Sequence, residues 1–121
     1  MKEKIPTYLF VCLANMNRSP TAEDVFRGLV KSKGKRIRTN SAGLSYLSKQ
    51  PINNKLAKEA DIIFVMEKYM KDQLEQLFRI KPGKIIVLNI PDIYERDDPV
   101  LIKILLDVLE SYLEAGNKET E

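Results

Sequence analysis

Short, wholly apolar runs alternate with amphipathic segments along this chain, and that alternation limits its possible folds more than any other feature. Tyr8–Leu13 (YLFVCL), Ile62–Met66 (IIFVM) and Ile85–Leu88 (IIVL) are too short for buried helices and have no polar face. Strands covered on both sides of a sheet read this way. Arg36–Asn40 is a weaker second strand. Ser19-Pro20 supplies an N-cap and a first helical residue for a helix carrying Ala22, Phe26, Leu29 and Val30 and closed by Gly34. Ser41–Asn53 reads as loop and Lys55–Ala60 as a short helix. Lys68–Phe78 and Pro99–Leu113 carry apolar residues at helical spacing. Strands separated by helices make a parallel sheet. The expectation is therefore an α/β fold: a single doubly wound domain over residues 1–121, with a four-stranded parallel sheet flanked by helices on both faces. Residues from about 116 form a frayed polar tail.

Ligands of such sheets bind beyond the carboxyl ends of the strands. The loops starting at Cys12 and following Asn40, Met66 and Leu88 lie there. The chain has no His and one Cys. A His general base, an internal disulfide and a Cys-rich zinc site are thereby excluded, and proton transfer falls to carboxylates, Tyr, Lys or the thiol. No cofactor and no metal are called for. The net charge of +3 is too small to argue for nucleic acid, and no apolar run approaches the ~20 residues that span a bilayer. Asn15, Asn17 and Arg18 break the apolar run near the N-terminus, so it does not read as a signal peptide. A monomer in the cytoplasm is the expected setting.

The Cys12-to-Pro20 segment leaves the first strand and enters a helix. A loop of this size wraps a tetrahedral oxyanion. The backbone N–H groups of Leu13, Ala14, Asn15, Met16 and Asn17 would turn inward, toward the positive end of the helix. Arg18 would grip two anion oxygens with its fork. The same field favours the thiolate of Cys12, and a thiolate beneath a bound phosphate is an in-line nucleophile. Arg18 as a bare helix-start cation would be unfavourable without an anion nearby.

Val11-Cys12-Leu13-Ala14-Asn15-Met16-Asn17-Arg18-Ser19-Pro20 resembles the phosphate loop of the low-molecular-weight protein tyrosine phosphatases, V-C-x-G-N-x-C-R-S-P. Asn40-Ser41-Ala42-Gly43 resembles that family's S-A-G segment, Ala60–Glu67 its third strand, and Ile90-Pro91-Asp92-Ile93-Tyr94 its acid loop. The likeness runs through nearly the whole chain in the family's order. It implies Cys12 as nucleophile, Arg18 as phosphate clamp, and Ser19 as hydrogen-bond partner of the thiolate. It also implies Asn15 and Ser41 as loop supports, and Asp92 as acid and then base. The substrate it implies is a phosphotyrosine protein or a small aryl phosphate. Two departures stand in the loop. Ala14 replaces a Gly, which carries a strain cost if that position needs positive φ. Asn17 replaces a second Cys, so no protective disulfide forms. Ser45–Glu59 is shorter than in the family, which opens the cleft wall.

Three aspartates follow the fourth strand. Asp92 carries the acid-loop likeness. Asp98 keeps the literal Asp-Pro dipeptide but also suits an N-cap before Pro99. Asp97 belongs to the charged Glu95–Asp98 cluster. Tyr94 flanks the cleft by its spacing from Asp92, and Tyr46 and Leu47 stand as an opposite wall. The basic Lys31–Arg38 segment reads as a solvated helix end. Three functions compete. The first is a metal-independent cysteine-dependent phosphatase. The second is a non-catalytic phosphate or phosphopeptide binder with an altered loop. The third is an arsenate reductase that borrows an external thiol.

Overall fold

A computed structural model of the chain describes residues 5–115 and 117–118. Strand β1 (Thr7–Cys12) leads to helix α1 (Arg18–Ser32). Two strands follow, β2 (Lys35–Arg36) and β3 (Arg38–Gly43), then the short helix α2 (Asn54–Glu59). Next come β4 (Ile62–Val65), α3 (Lys68–Phe78), a 3₁₀ turn at Pro82–Lys84, and β5 (Ile85–Val87). Helix α4 (Pro99–Leu109) tightens into a 3₁₀ turn at Glu110–Ala115, and β6 (Asn117–Lys118) pairs antiparallel with β2. Of the expected polar tail, residues 116 and 119–121 lie outside the described residues.

The main sheet is parallel throughout, in the order β3-β1-β4-β5. The expected four-stranded α/β sheet is therefore present. The chain leaves β1 for one neighbour and later reaches the other, which makes the carboxyl end of β1 the switch point where ligands bind. Right-handed crossovers moving in opposite directions place their helices on opposite faces.

Two differences from expectation bear on the Cys12 loop. The second main strand extends through Ser41, Ala42 and Gly43, because Leu9–Cys12 pair with Asn40–Gly43 and leave no room for a loop there. Helix α1 begins at Arg18, not after a Ser19 cap. Asn17 occupies the cap position without a side-chain hydrogen bond, and its carbonyl accepts from Thr21 N. The Ser19 hydroxyl is engaged elsewhere, as described below.

Aromatic rings fill one side of the sheet. Tyr8 and Phe10, two apart in β1, present the same face. Phe10 stacks on Phe64 at 4.9 Å, and Tyr8 stacks on Phe26 of α1 at 5.4 Å. Phe64 also meets the edge of Tyr112. Leu101, Leu105 and Leu109 of α4 are fully buried, one helical turn apart, as core residues. The Tyr8 hydroxyl donates to the Tyr112 carbonyl. Burial, reinforced by the negative charge of Asp61, pushes its phenol up to about 12.

Candidate active site

Cys12 is the last residue of β1 and is 3% exposed. The carbonyls that follow it are all taken by one neighbouring segment. Leu44 N donates to Cys12 O, Ser45 N to Leu13 O, both at 2.9 Å, and Lys49 N to Ala14 O at 3.4 Å. In a trans peptide the next N–H points opposite to the carbonyl. Tying these carbonyls outward therefore turns the N–H groups of Leu13, Ala14 and Asn15 toward the sulfur side of the loop. Asn15 N donates to Cys12 Sγ at 3.2 Å, in keeping with that direction.

The loop's left-handed residue is Asn15, with φ 54. Ala14 has no positive φ, so the strain expected of an Ala in the place of a Gly does not arise. Asn tolerates the left-handed region better than most residues. The Asn15 side chain is 6% exposed and braces the turn: its Oδ1 accepts from Ser19 Oγ at 2.9 Å. Ser19 Oγ also lies 3.0 Å from Cys12 Sγ and 3.4 Å from Ala42 O. A hydroxyl has one proton to give. Beside a thiol, Ser19 donates to Asn15 or Ala42 and the S–H donates to Ser19. Beside a thiolate, the Ser19 proton must turn to sulfur.

Ser41 sits in β3, and its carbonyl accepts from Gln50 Nε2. Among the described residues its hydroxyl makes no hydrogen bond to the loop. Gly43 supplies support that the sequence reading did not assign. A Cβ built there would stand 2.6 Å from Ser48 Oγ and 2.9 Å from Leu13 O, the carbonyl that holds Ser45 N. Gly43→Ala is expected to cost about 1–3 kcal/mol by overpacking and to weaken phosphate binding. Thermal unfolding and phosphate titration check both effects.

Arg18 is 2% exposed. Its Nη1 donates to Glu67 Oε2 at 2.9 Å and to Ile90 O at 2.8 Å. Those two bonds use both Nη1 protons and leave the Nε–Nη2 edge as the fork for an anion. Asp92 Oδ1 stands 3.6 Å from Nε. The segment carrying Asp92 reaches this position because Asn89, two residues after β5, takes the left-handed conformation, φ 59. Ile90 N then bonds Met66 O at 2.8 Å, which fixes Ile90 O over Arg18.

The three aspartates separate by geometry. Asp98 caps α4, accepting from Val100 N at 2.8 Å. Asp97 adopts φ 62, and its N–H donates to Thr21 Oγ1 at 3.0 Å, tying the loop to α1. Asp92 alone of the three contacts Arg18 among the described residues. Tyr94 is half-buried and packs on the core, whereas Leu13, Met16, Tyr46, Leu47 and Ile93 are exposed. Asn17 is half-buried at the cap of α1.

Two neighbours of the site escaped the sequence reading. Glu67 lies two residues after β4, the one signal that placed it at the carboxyl end of the sheet. Tyr69 lies in the first turn of α3, and nothing in its sequence context marks it. Its phenol is pushed up by burial first and by Glu67 and Asp92, against the opposing pull of Arg18. No helix is long and apolar enough to cross a membrane, and among the described residues no cluster of His, Cys, Asp and Glu suits a metal.

The family model for low molecular weight phosphotyrosine protein phosphatase matches residues 7–54, which hold the Cys12 loop and β3. The low molecular weight protein-tyrosine-phosphatase Ptp of Acinetobacter johnsonii is 29% identical over 119 aligned positions, covering 74% of this chain and 80% of that protein. The tyrosine phosphatase Wzb of Escherichia coli K30, solved with phosphate, superposes with a TM-score of 0.74 at 21% identity, covering 93% of this chain and 99% of that one. A low molecular weight protein tyrosine phosphatase from T. tengcongensis gives 0.71 at 23% identity, covering 90% of this chain and 95% of that one. The YwlE arginine phosphatase, in a variant with a phosphorylated active-site serine, gives 0.66 at 20% identity, covering 88% and 90%. At these identities the superpositions establish the shared α/β fold.

Proposed function

We propose that this chain, a member of the low-molecular-weight phosphotyrosine protein phosphatase family, hydrolyses phosphotyrosine or similar aryl phosphomonoesters through a cysteinyl phosphate. The observation that carries the proposal is the setting of Cys12. Its sulfur lies inside a loop whose carbonyls are tied outward, within 3.2 Å of Asn15 N and 3.0 Å of Ser19 Oγ.

The phosphoryl oxygens take the loop N–H groups and the Nε–Nη2 edge of Arg18. Sγ attacks phosphorus from beneath, an S–P bond forms, and the P–O bond to the leaving group breaks. Asp92, above Arg18, gives its proton to the departing oxygen. Water then attacks phosphorus with Asp92 as base. The S–P bond breaks, phosphate leaves, and the Ser19 hydroxyl turns its proton to the sulfur that departs. Arg18 keeps its aim because Glu67 and Ile90 O hold Nη1. Leu13 and Met16, exposed within the loop, offer apolar surface to an aryl ring. A monomer acting in a reducing compartment such as the cytoplasm fits a mechanism that needs a free thiol.

The test is hydrolysis of para-nitrophenyl phosphate in excess EDTA. Wild type is expected to turn over and to be inhibited by vanadate. Cys12→Ser is expected to lose activity by about 10⁴-fold or more. Full activity of that variant would sink the mechanism. Phosphate binding by the wild type without turnover would instead make the loop a binding module.

A further inference from the structure

The opposite end of the sheet carries a second concave feature. A cavity of about 260 Å³ lies between α2 and the turn joining α3 to β5. The turn and the last residues of α2 precede β5 and β4, so the cavity sits at the amino ends of those strands. The Cys12 loop is at the carboxyl ends. Phe78 and Ile80, both half-buried against the core, form its apolar wall. Its rim holds Lys58, Arg79, Lys81 and Lys84, and none of its lining residues is acidic. Lys58, Arg79 and Lys81 have no acidic partner within ion-pair distance among the described residues.

A second observation concerns Arg79. It terminates α3 in the left-handed conformation, with φ 52 and ψ 43. Glycine is the favoured residue there, since a side chain costs energy in that region. The chain keeps a long cation at the strained position, and that cation lines the cavity. Strain held next to a concave, single-sign site is a mark of function. Lys84 Nζ meanwhile donates to Ala57 O at 2.9 Å, which joins α2 to the turn and fixes the two walls against each other.

We propose that this cavity binds a small organic polyanion, with two or more carboxylate or phosphate groups among Lys58, Arg79 and Lys81 and an apolar portion on Phe78 and Ile80. The volume admits a compact molecule of a few fused or substituted carbons and is too small for a folded partner's surface. Carboxylates or phosphates gain charge-assisted bonds from the Arg79 fork. The apolar wall distinguishes such a ligand from a bare inorganic ion.

Benzene-1,3,5-tricarboxylate is the probe, because it presents three anions on a ring and lacks the tetrahedral oxyanion that the Cys12 loop is shaped to wrap. Binding is followed by ¹H–¹⁵N correlation spectra at about 0.15 M NaCl, where loose surface attraction is screened. The expected result is saturable shifts confined to residues 54–58 and 78–84. Sulfate, the arm without an apolar part, is expected to bind about tenfold more weakly or worse. The double variant Arg79→Gly, Lys81→Gln is expected to lose about tenfold or more in affinity. Its melting temperature should not fall, because Gly relieves the left-handed position, so lost binding cannot be ascribed to unfolding. Three results would overturn the proposal: equal affinity in the double variant, non-saturating shifts shared with the Lys31–Arg38 surface, or tighter binding of hexaglutamate at the same residues, which would make the cavity a groove for an acidic protein segment.

Discussion

Asp92→Ala is expected to slow hydrolysis of phenyl phosphate by about 10²- to 10⁴-fold, the usual contribution of a general acid. The loss should be smaller with para-nitrophenyl phosphate, whose leaving oxygen needs a proton less. That dependence on leaving group separates an acid from a residue that merely shapes the cleft. Asp92 Oδ1 stands 3.6 Å from Arg18 Nε, and that proximity to the proposed phosphate clamp is the observation behind the proposed acid role. Asp98→Ala supplies the contrast. Its carboxylate accepts from Val100 N and caps α4, so its loss should cost about 1 kcal/mol of stability and leave the leaving-group dependence intact. If Asp98→Ala removed that dependence while Asp92→Ala preserved it, the assignment of the acid would be reversed. Stopped-flow measurement of the phenol burst reads the first chemical step directly.

Arg18→Lys is expected to lower kcat/KM by about 10³-fold, the scale of removing oriented donors from a transition-state anion. The charge is kept and the geometry is not. The guanidinium serves Glu67 and Ile90 O through Nη1, which leaves Nε and Nη2 to take the phosphate in the proposed mechanism. One ammonium cannot do both. Inorganic phosphate should lose affinity in parallel, which inhibition titrations would detect. Arg18→Ala should also cost about 2–3 kcal/mol of stability. The figure is lower than for a fully buried pair because Glu67 is 35% exposed. A lysine variant with wild-type phosphate affinity would show that the loop N–H groups alone hold the anion.

Much of the scaffold was legible from local pattern. Tyr8–Leu13, Ile62–Met66 and Ile85–Leu88 announced buried strands because no other element of that length is apolar all round. Helix α3 emerged at Lys68–Phe78 as its periodicity required. Ser41–Gly43 was misread as loop because Ser, Ala and Gly carry no strand signal of their own. Their extended form comes from pairing with Phe10–Cys12. Ser19 looked like a helix cap for a similar reason. Only the approach of Asn15, Cys12 and Ala42 in space reveals that its hydroxyl faces the sulfur.

The sequence by itself determined the strand–helix alternation, the loop between Cys12 and Ser19, and the candidates for nucleophile and clamp. These depend on contacts between near neighbours in the chain. The tertiary structure decided which aspartate meets Arg18, that Asn15 and not Ala14 takes the left-handed turn, and that Glu67 and Ile90 O hold the guanidinium. Arg18 and Ile90 are 72 residues apart. No local pattern encodes that distance. It is set by the order β3-β1-β4-β5, which brings the carboxyl ends of β1, β4 and β5 to one edge, and by the left-handed Asn89, after which Ile90 N bonds Met66 O and Ile90 O meets Arg18.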